Sequence, residues 1–437
     1  MEIVNNILWS IATIMLVGSG LYFAFKLDFV HLHLKKLFST LKKDNKNEEG
    51  ISPLSSLMVS LGACIGVGSL AGIALAIYKG GVGTIFWIWL SCLIVAPNSL
   101  VENTLAIVFH KKSGKHFLGG PAYYIKKGLG NKKLSFIYAI LIIITYIFGF
   151  LTIQSNTIAK SFTNFFNVPS ILIGLIVGIT SFIIIFKGIK GISKFSNIFI
   201  PAMGLIYLSI SLFVVLKNIN LLPSLLINIF KEAFNFKALG YGMLSVILIG
   251  IQRGIFSNEA GLGTAAIASG SSSESIPIKQ GMISTLGIYF VTFIVCTGTA
   301  FIILTSNYNA LNYTDVNGIE ITLNAFNYHL GNFGNIILYI CIIAFSFSTI
   351  VSGYYYGESN LKFIFKNISD KNLLILKIFT CILLVLGSFL SPTLLWNLVD
   401  IMAAVLAIIN IYAIFSLKRV MIEEYQFYKR KCQDDRK

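Results

Sequence analysis

Apolar residues fall in blocks of about 19 or more along most of this chain, which is the length that crosses a bilayer as a helix. Windows of that size predict about eleven spans, at residues 5–26, 54–78, 82–109, 134–162, 169–187, 196–217, 239–268, 281–305, 334–356, 373–391 and 394–417. The first block, Ile7 to Phe25, lacks a basic leader and is followed by Lys26 rather than a small-residue cleavage site, so it reads as a span and not a signal peptide. The expected class is an all-α membrane protein.

Two blocks break their own pattern. Gly62 to Ile77, GACIGVGSLAGIALAI, places Gly62, Gly66, Gly68 and Gly72 where a helix favours Ala or Leu. Glycine at that density either permits close helix packing or lets the helix unwind, and unwound backbone at membrane depth is tolerated only where it lines a cavity. Arg253 to Gly263, RGIFSNEAGLG, sets a cation, an anion, an amide and three glycines between apolar runs. After the first span ten remain, and these two are the first and sixth of the ten. Each therefore opens a block of five, and because five is odd the second block runs opposite to the first, as an inverted repeat. The implied division is an N-terminal helix and loop at 1–53, a first repeat at 54–217, a connection at 218–238, a second repeat at 239–417 and a tail at 418–437.

Charge adds topology. The net charge of +16 is mostly lysine. With the N-terminus outside, about 28 of the 34 Lys and Arg fall in or beside the cytoplasmic segments 27–53, 110–133, 187–195, 269–280, 357–372 and the tail from Lys418. The outer loop from Ser306 to Asn332 has no Lys or Arg and carries Asp315 and Glu320. The basic excess therefore reads as a positive-inside signal and not as nucleic-acid binding. Residues 27–50 begin as an amphipathic cytoplasmic piece, Gly119 to Gly130 lies at the cytoplasmic interface, and Leu221 to Lys237 forms a short outer helix. The six cysteines include no CxxC pair, and the five histidines fall in expected loops, which argues against zinc, haem or a disulfide. No cofactor is expected beyond a coupling ion.

The candidate chemistry follows from the breaks. An unwound segment exposes amides at one half-helix and carbonyls at the other, which suit a carboxylate and a small cation respectively. Amides at Val67, Gly68 and Ser69, beside Gly66, are the expected carboxylate seat; carbonyls at Gly62 and Ile65 are expected to face sodium. The hydroxyls of Ser348 and Thr349, with the Phe345 carbonyl one turn earlier, offer the oxygen-only ligands that a hard cation needs, by analogy with. Arg253 is the lone arginine in a span, and Glu259, six residues on, is its expected partner across the break. Ser257 and Asn258 offer uncharged hydrogen bonds, and Phe256 is placed to cap an apolar side chain. Of the consecutive polar residues Gln154, Ser155 and Asn156, no more than one or two can share a face, and Gln154 is the choice for the cavity. Glu102, Glu358 and Asp400 read as proton carriers or as structural groups.

Together these stretches resemble the alanine or glycine:cation symporter family, sodium-coupled carriers with a LeuT-type core. The likeness covers nearly the whole chain. It rests on Gly66 to Gly72, GGVGTIFWIWLS from Gly80, GGPAYYIKKGLG from Gly119, IQSNTIA from Ile153, GIKGISKFSNIFIPAM from Gly188, RGIFSNEAGLGTAAIA from Arg253, and FSTI followed by YYGE up to Glu358. The resemblance implies one helix plus five-plus-five, moving a small neutral amino acid with sodium through the plasma membrane. This chain departs from the family at Val67 and Ser69, where Thr and Asn are usual, and at Ser352 and Gly353, where Gly-Trp is usual. Near Asp400, Ala403 and Ile409 replace the usual Asn and Pro. Loss of the Trp at Gly353 is expected to enlarge the pocket, and Ser348 and Thr349 are retained.

The expectation is a symporter whose substrate is bounded by the first break, Gln154, Phe256 and Gly353, with Arg253, Glu259 and Asp400 structural or gating. A monomer in the lipid bilayer is the expected state. A proton-coupled or exchange carrier of a larger amino acid is the rival within the class, and a non-transporting sensor the rival outside it. An enzyme is disfavoured, because no His, Cys or paired-carboxylate constellation lies at depth.

Overall fold

The computed structural model describes residues 2–41, 49–114, 116–235, 243–310, 318–365 and 368–434. The expected seventh-span start at 239–242, Asp315 and residues 42–48 of the first cytoplasmic segment lie outside them. In chain order the helices are α1 (Glu2–Lys26), α2 (Leu34–Ser39), α3 (Pro53–Cys64), α4 (Ala71–Gly80), α5 (Thr84–Val108), α6 (Pro121–Lys127), α7 (Lys132–Ile143), α8 (Leu151–Phe166), α9 (Ser170–Ile185) and α10 (Gly188–Lys217). They continue as α11 (Leu222–Ala233), α12 (Met243–Asn258), α13 (Ala265–Ser269), α14 (Pro277–Tyr289), α15 (Thr297–Leu304), α16 (Gly318–Leu330), α17 (Asn332–Ile364), α18 (Asp370–Gly387), α19 (Pro392–Ser416) and α20 (Lys418–Asp434). A two-stranded hairpin, β1 (Lys111–Ser113) and β2 (His116–Leu118), follows α5. Among the described residues, seven helices are long and apolar enough to cross a membrane, or eight if the bent pair α3 and α4 counts as one span. The shorter apolar α9 is separate from these.

Both glycine-marked blocks are broken. Helix α3 starts at a Ser52 cap, whose hydroxyl accepts from the Ser55 amide at 3.1 Å, with Pro53 in the first turn. It stops at Cys64 because Ile65 and Gly66 leave helical geometry, and the chain resumes as α4 at an angle of 63°. Helix α12 stops at Asn258; Glu259, Gly261 and Gly263 all take positive φ, at 55°, 81° and 81°. Glycine adopts that geometry freely, whereas at Glu259 it costs about 1–3 kcal/mol and needs the surroundings to hold it.

Two π turns serve the same centre. Ile144–Phe150 joins α7 to α8 and brings Tyr146 and Phe150 to the second break, while Phe290–Cys296 joins α14 to α15 and brings Thr292 to Asn258.

The lysine-rich segments share one end of the molecule. There Ile51 pairs with the strand-like backbone at Ser271 to Ser273, Lys112 meets Glu49 at 2.6 Å, and Lys429 of α20 meets Asp28 at 2.7 Å. At the other end Trp87 donates to the Ala233 carbonyl at 3.1 Å, seating α11 on α5. The outer loop is not all loop. Helix α16 buries Ile319, Thr322, Ala325, Phe326 and His329 on one stripe, a helical period present in the sequence but too short to register as a span. The tail likewise folds as α20.

Helix α1 leans on this core through Gly20. A Cβ at that position would collide with the Ile94 carbonyl oxygen of α5. Gly20→Ala is therefore expected to cost about 1–3 kcal/mol through overpacking. Thermal unfolding of the detergent-solubilised protein checks this, and a wild-type melting temperature would mean that α1 shifts freely.

Candidate functional site

The two breaks lie against each other in the buried centre. The exposed backbone of the first is taken up by side chains from five helices, as depth in a membrane requires. Around the first break, Gln154 Oε1 of α8 accepts from the Val67 amide at 3.2 Å, and Ser257 Oγ of α12 donates to the Gly68 carbonyl at 3.1 Å. Thr299 Oγ1 of α15 donates to the Ser69 carbonyl at 2.8 Å, and Thr322 Oγ1 of α16 to the Leu70 carbonyl at 3.4 Å. Thr349 Oγ1 of α17 donates to the Gly62 carbonyl at 3.2 Å. Of the three amides expected to seat a carboxylate, that of Val67 is held by Gln154 and that of Ser69 by the Gly66 carbonyl at 3.2 Å in a tight turn. The Ser69 hydroxyl is fully buried and has no hydrogen-bond partner among the described residues.

The oxygens expected to face sodium do gather. The Thr349 hydroxyl lies 3.1 Å from the Phe345 carbonyl as well as 3.2 Å from that of Gly62, and the Ser348 hydroxyl lies 2.8 Å from the Phe345 carbonyl. Ile65, where α3 ends, has non-helical ψ (75°), so its carbonyl leaves the helical direction three residues after Gly62. A methyl group at Gly66 would meet Thr349 Oγ1 at 2.5 Å and Gln154 Nε2 at 3.0 Å, so glycine there lets α8 and α17 touch the break. Close packing and unwinding are both at work in this stretch. At Gly68 the added carbon would meet the Phe256 ring at 3.0 Å, which sets Phe256 over the break.

Phe256 belongs to an aromatic row. Its ring stacks on Phe150 at 5.1 Å and lies 5.1 Å from Trp396, and Phe150 stacks on Tyr146 at 4.9 Å. The Arg253 guanidinium sits 5.7 Å from Phe256 and 5.6 Å from Trp396. Its ionic partner is Asp400 of α19, at 2.7 Å, and both are buried. The expected Arg253–Glu259 pair does not form. The left-handed backbone at Glu259 (φ 55°) instead presents its carboxylate to Tyr146 and Thr264.

 At that turn Glu259 instead accepts from Tyr146 OH at 2.7 Å and Thr264 Oγ1 at 2.6 Å. Asn258 donates to Thr292 Oγ1 at 3.0 Å and accepts from the Ala260 amide at 3.0 Å, so both ends of its side chain hold the turn.

Glu102 of α5 does more than its place in the sequence suggests. Its carboxylate accepts from the Gly261 amide at 3.3 Å, the Gly263 amide at 3.0 Å and Asn410 Nδ2 of α19 at 2.6 Å. Asn410 also donates to the Gly261 carbonyl at 2.9 Å, and Tyr138 OH to the Leu262 carbonyl at 2.6 Å. The second break is thereby tied to α5, α7 and α19. Thr299, Tyr146 and Asn410 were not singled out from the sequence; their signal was only a lone polar group within an apolar run.

Gly353 corrects another expectation. A side chain there would meet Tyr146 at 3.0 Å and Leu151 at 3.1 Å, so the volume of the missing Trp is filled by these neighbours and is not added to a cavity. Ser352 faces Gly62 and lies 3.4 Å from Ser196. Glu358 lies one turn from Lys362 and pairs with it at 2.5 Å, near the lysine-rich end.

Comparison with known proteins agrees with this arrangement. The model of the sodium:alanine symporter family matches residues 1–437. The chain is 36% identical over 431 residues to the amino-acid carrier protein AlsT of Bacillus subtilis (strain 168), covering 98% of this chain and 91% of that one. It is 36% identical to the probable sodium/glutamine symporter GlnT of the same organism, covering 98% and 90%. It is 31% identical to the sodium/alanine symporter AgcS of Methanococcus maripaludis, covering 96% and 95%. The crystal structure of MhsT in complex with L-phenylalanine shares the LeuT-type fold, with a TM-score of 0.61 over 84% of this chain and 89% of that one, at 15% identity. Both the sequence and the paired broken helices lead to one assignment: this chain belongs to the sodium:alanine symporter family.

Proposed function

We propose that this protein is a secondary active symporter that carries a neutral amino acid together with sodium across the plasma membrane, with eleven spans, its N-terminus outside and its C-terminus in the cytoplasm. The observation that carries the reading is the oxygen cluster where α3 ends. The Thr349 hydroxyl bridges the Gly62 carbonyl at 3.2 Å and the Phe345 carbonyl at 3.1 Å, and the Ser348 hydroxyl lies 2.8 Å from that same Phe345 carbonyl; Ile65 follows Gly62 by three residues where α3 ends. Each hydroxyl now donates to a carbonyl, and rotating the proton away would turn its lone pairs toward a cation. In this reading the substrate carboxylate takes the Gly68 amide and the buried Ser69 hydroxyl, and Gln154 yields the Val67 amide to it. Phe256, Ser257 and Asn258 bound the other side, and Gly353 acts through the Tyr146 ring that rests on it. Sodium and substrate then meet on the same unwound segment, so each favours the conformation that the other binds.

The relatives support an amino-acid substrate and differ among themselves in size, from alanine to glutamine, by their names. Val67 and Ser69 replace the family's usual residues at the first break, which keeps a larger neutral amino acid as the rival to alanine or glycine. A proton-coupled carrier is the second reading, favoured by Glu259: it is buried, accepts from the hydroxyls of Tyr146 and Thr264, and has no ionic partner among the described residues. Imposed sodium and proton gradients separate the two.

Thr349→Ala tests the ion assignment. It is expected to raise the sodium concentration for half-maximal uptake about tenfold, the loss of one oxygen ligand. An unchanged sodium activation curve would remove Thr349 from the ion site.

A further inference from the structure

Helix α3 has a second surface, turned away from α12. There α2, α3, α10 and α14 with its π turn enclose an apolar groove of about 770 Å³. Leu34 and Phe38 lie on one wall, Met58 on another, Gly204 and Leu205 on a third and Phe290 on a fourth, with Leu93 of α5 also in the lining. Leu34, Phe38 and Leu205 are 51%, 57% and 66% exposed, so the groove opens on the outer face of the bundle. An apolar recess of this size facing outward needs an apolar occupant, and at membrane depth that is an acyl chain.

The charge around the groove says which lipid. On α10, Lys194 precedes Pro201 of the lining by seven residues, on the same face and about 10 Å along the axis. On α14, Lys279 stands in the same relation to Leu286. On α2, Lys35 is exposed beside Leu34. None of the helices α2, α3, α10 and α14 contains an Asp or Glu. The lysine-bearing end of the groove is therefore positive on three sides, with no carboxylate among the described residues that line it.

We propose that this groove binds an anionic phospholipid, with one acyl chain between α3, α10 and α14 and its phosphate among Lys35, Lys194 and Lys279. The chain would touch Met58, one helical turn before Gly62. The site is independent of which amino acid or ion is carried.

Native mass spectrometry of the full chain, released from nanodiscs holding equal fractions of phosphatidylglycerol and phosphatidylcholine, tests it. Phosphatidylglycerol is expected to be retained, in preference by about tenfold or more. The combined variant Lys35→Gln, Lys194→Gln and Lys279→Gln is expected to level that preference. Gly204→Trp is expected to expel the lipid, since a Cβ there meets only the Phe290 ring, at 3.8 Å, and the indole would enter the groove. The lysine variant lies outside the packed core and decides the matter if Gly204→Trp fails to fold. Equal retention of the two lipids, or a preference unchanged in the lysine variant, would overturn the proposal. So would a dimer mass that Gly204→Trp abolishes, which assigns the groove to a second copy.

Discussion

Asp400→Asn is expected to abolish uptake and to destabilise the protein by about 3–5 kcal/mol, because it leaves the buried Arg253 guanidinium without its ionic partner. Phe256 and Trp396 hold the arginine from two sides but supply no counter-charge. The pair ties α12 to α19, directly beside the aromatic row over the first break. Replacing both members, Arg253→Met with Asp400→Leu, is expected to recover most of the stability, since a buried ion pair is often matched by apolar groups of similar volume. Thermal unfolding of the two single variants and the double variant gives the coupling, and uptake by the double variant shows whether the pair also gates. Additive losses would mean that Arg253 and Asp400 do not depend on each other.

Glu102→Leu is expected to have an effect of similar size for a different reason. It would strand the amides of Gly261 and Gly263 and the side chain of Asn410 in a region that water does not reach. A buried donor left unmade costs about 1–3 kcal/mol, and three are lost together. The second break would then lose its tie to α5, leaving the Asn410–Gly261 bond to α19, and uptake is expected to be lost with it. Glu102→Gln keeps the shape but turns an NH2 group toward one of those donors, and is expected to fall between Glu102→Leu and wild type. Uptake and thermal unfolding measured in parallel check the order. A Glu102→Leu protein with wild-type stability and transport would show that the second break is held without it.

The breaks were legible in the sequence because glycine and charge are costly at membrane depth. Their position alone marked Gly62 to Gly72 and Arg253 to Gly263. The choice of Gln154 over its neighbours also had a physical basis, since three consecutive residues point three ways. In the structure Gln154 reaches the Val67 amide, while Ser155 and Asn156 donate to carbonyls of α18 and the turn after it. Partners across the fold were not legible. Arg253 and Asp400 are 147 residues apart, and the nearer Glu259 was the natural but wrong choice. The filling of space at Gly353 was equally hidden, because it depends on a π turn that carries Tyr146 into the gap, and apolar sequence does not announce a π turn. Helix α16 was missed for the opposite reason. Its period was there, but a search for spans passes over a stripe of that length.

The most direct test of the account is accumulation of labelled neutral amino acids, from glycine and alanine to glutamine and larger, in proteoliposomes containing the purified protein. An inward sodium gradient is compared with one of potassium. Accumulation of at least one of them above equilibrium, with sodium and not with potassium, is the predicted result. Equal accumulation under both gradients, or none by a folded protein across the whole panel, would contradict it.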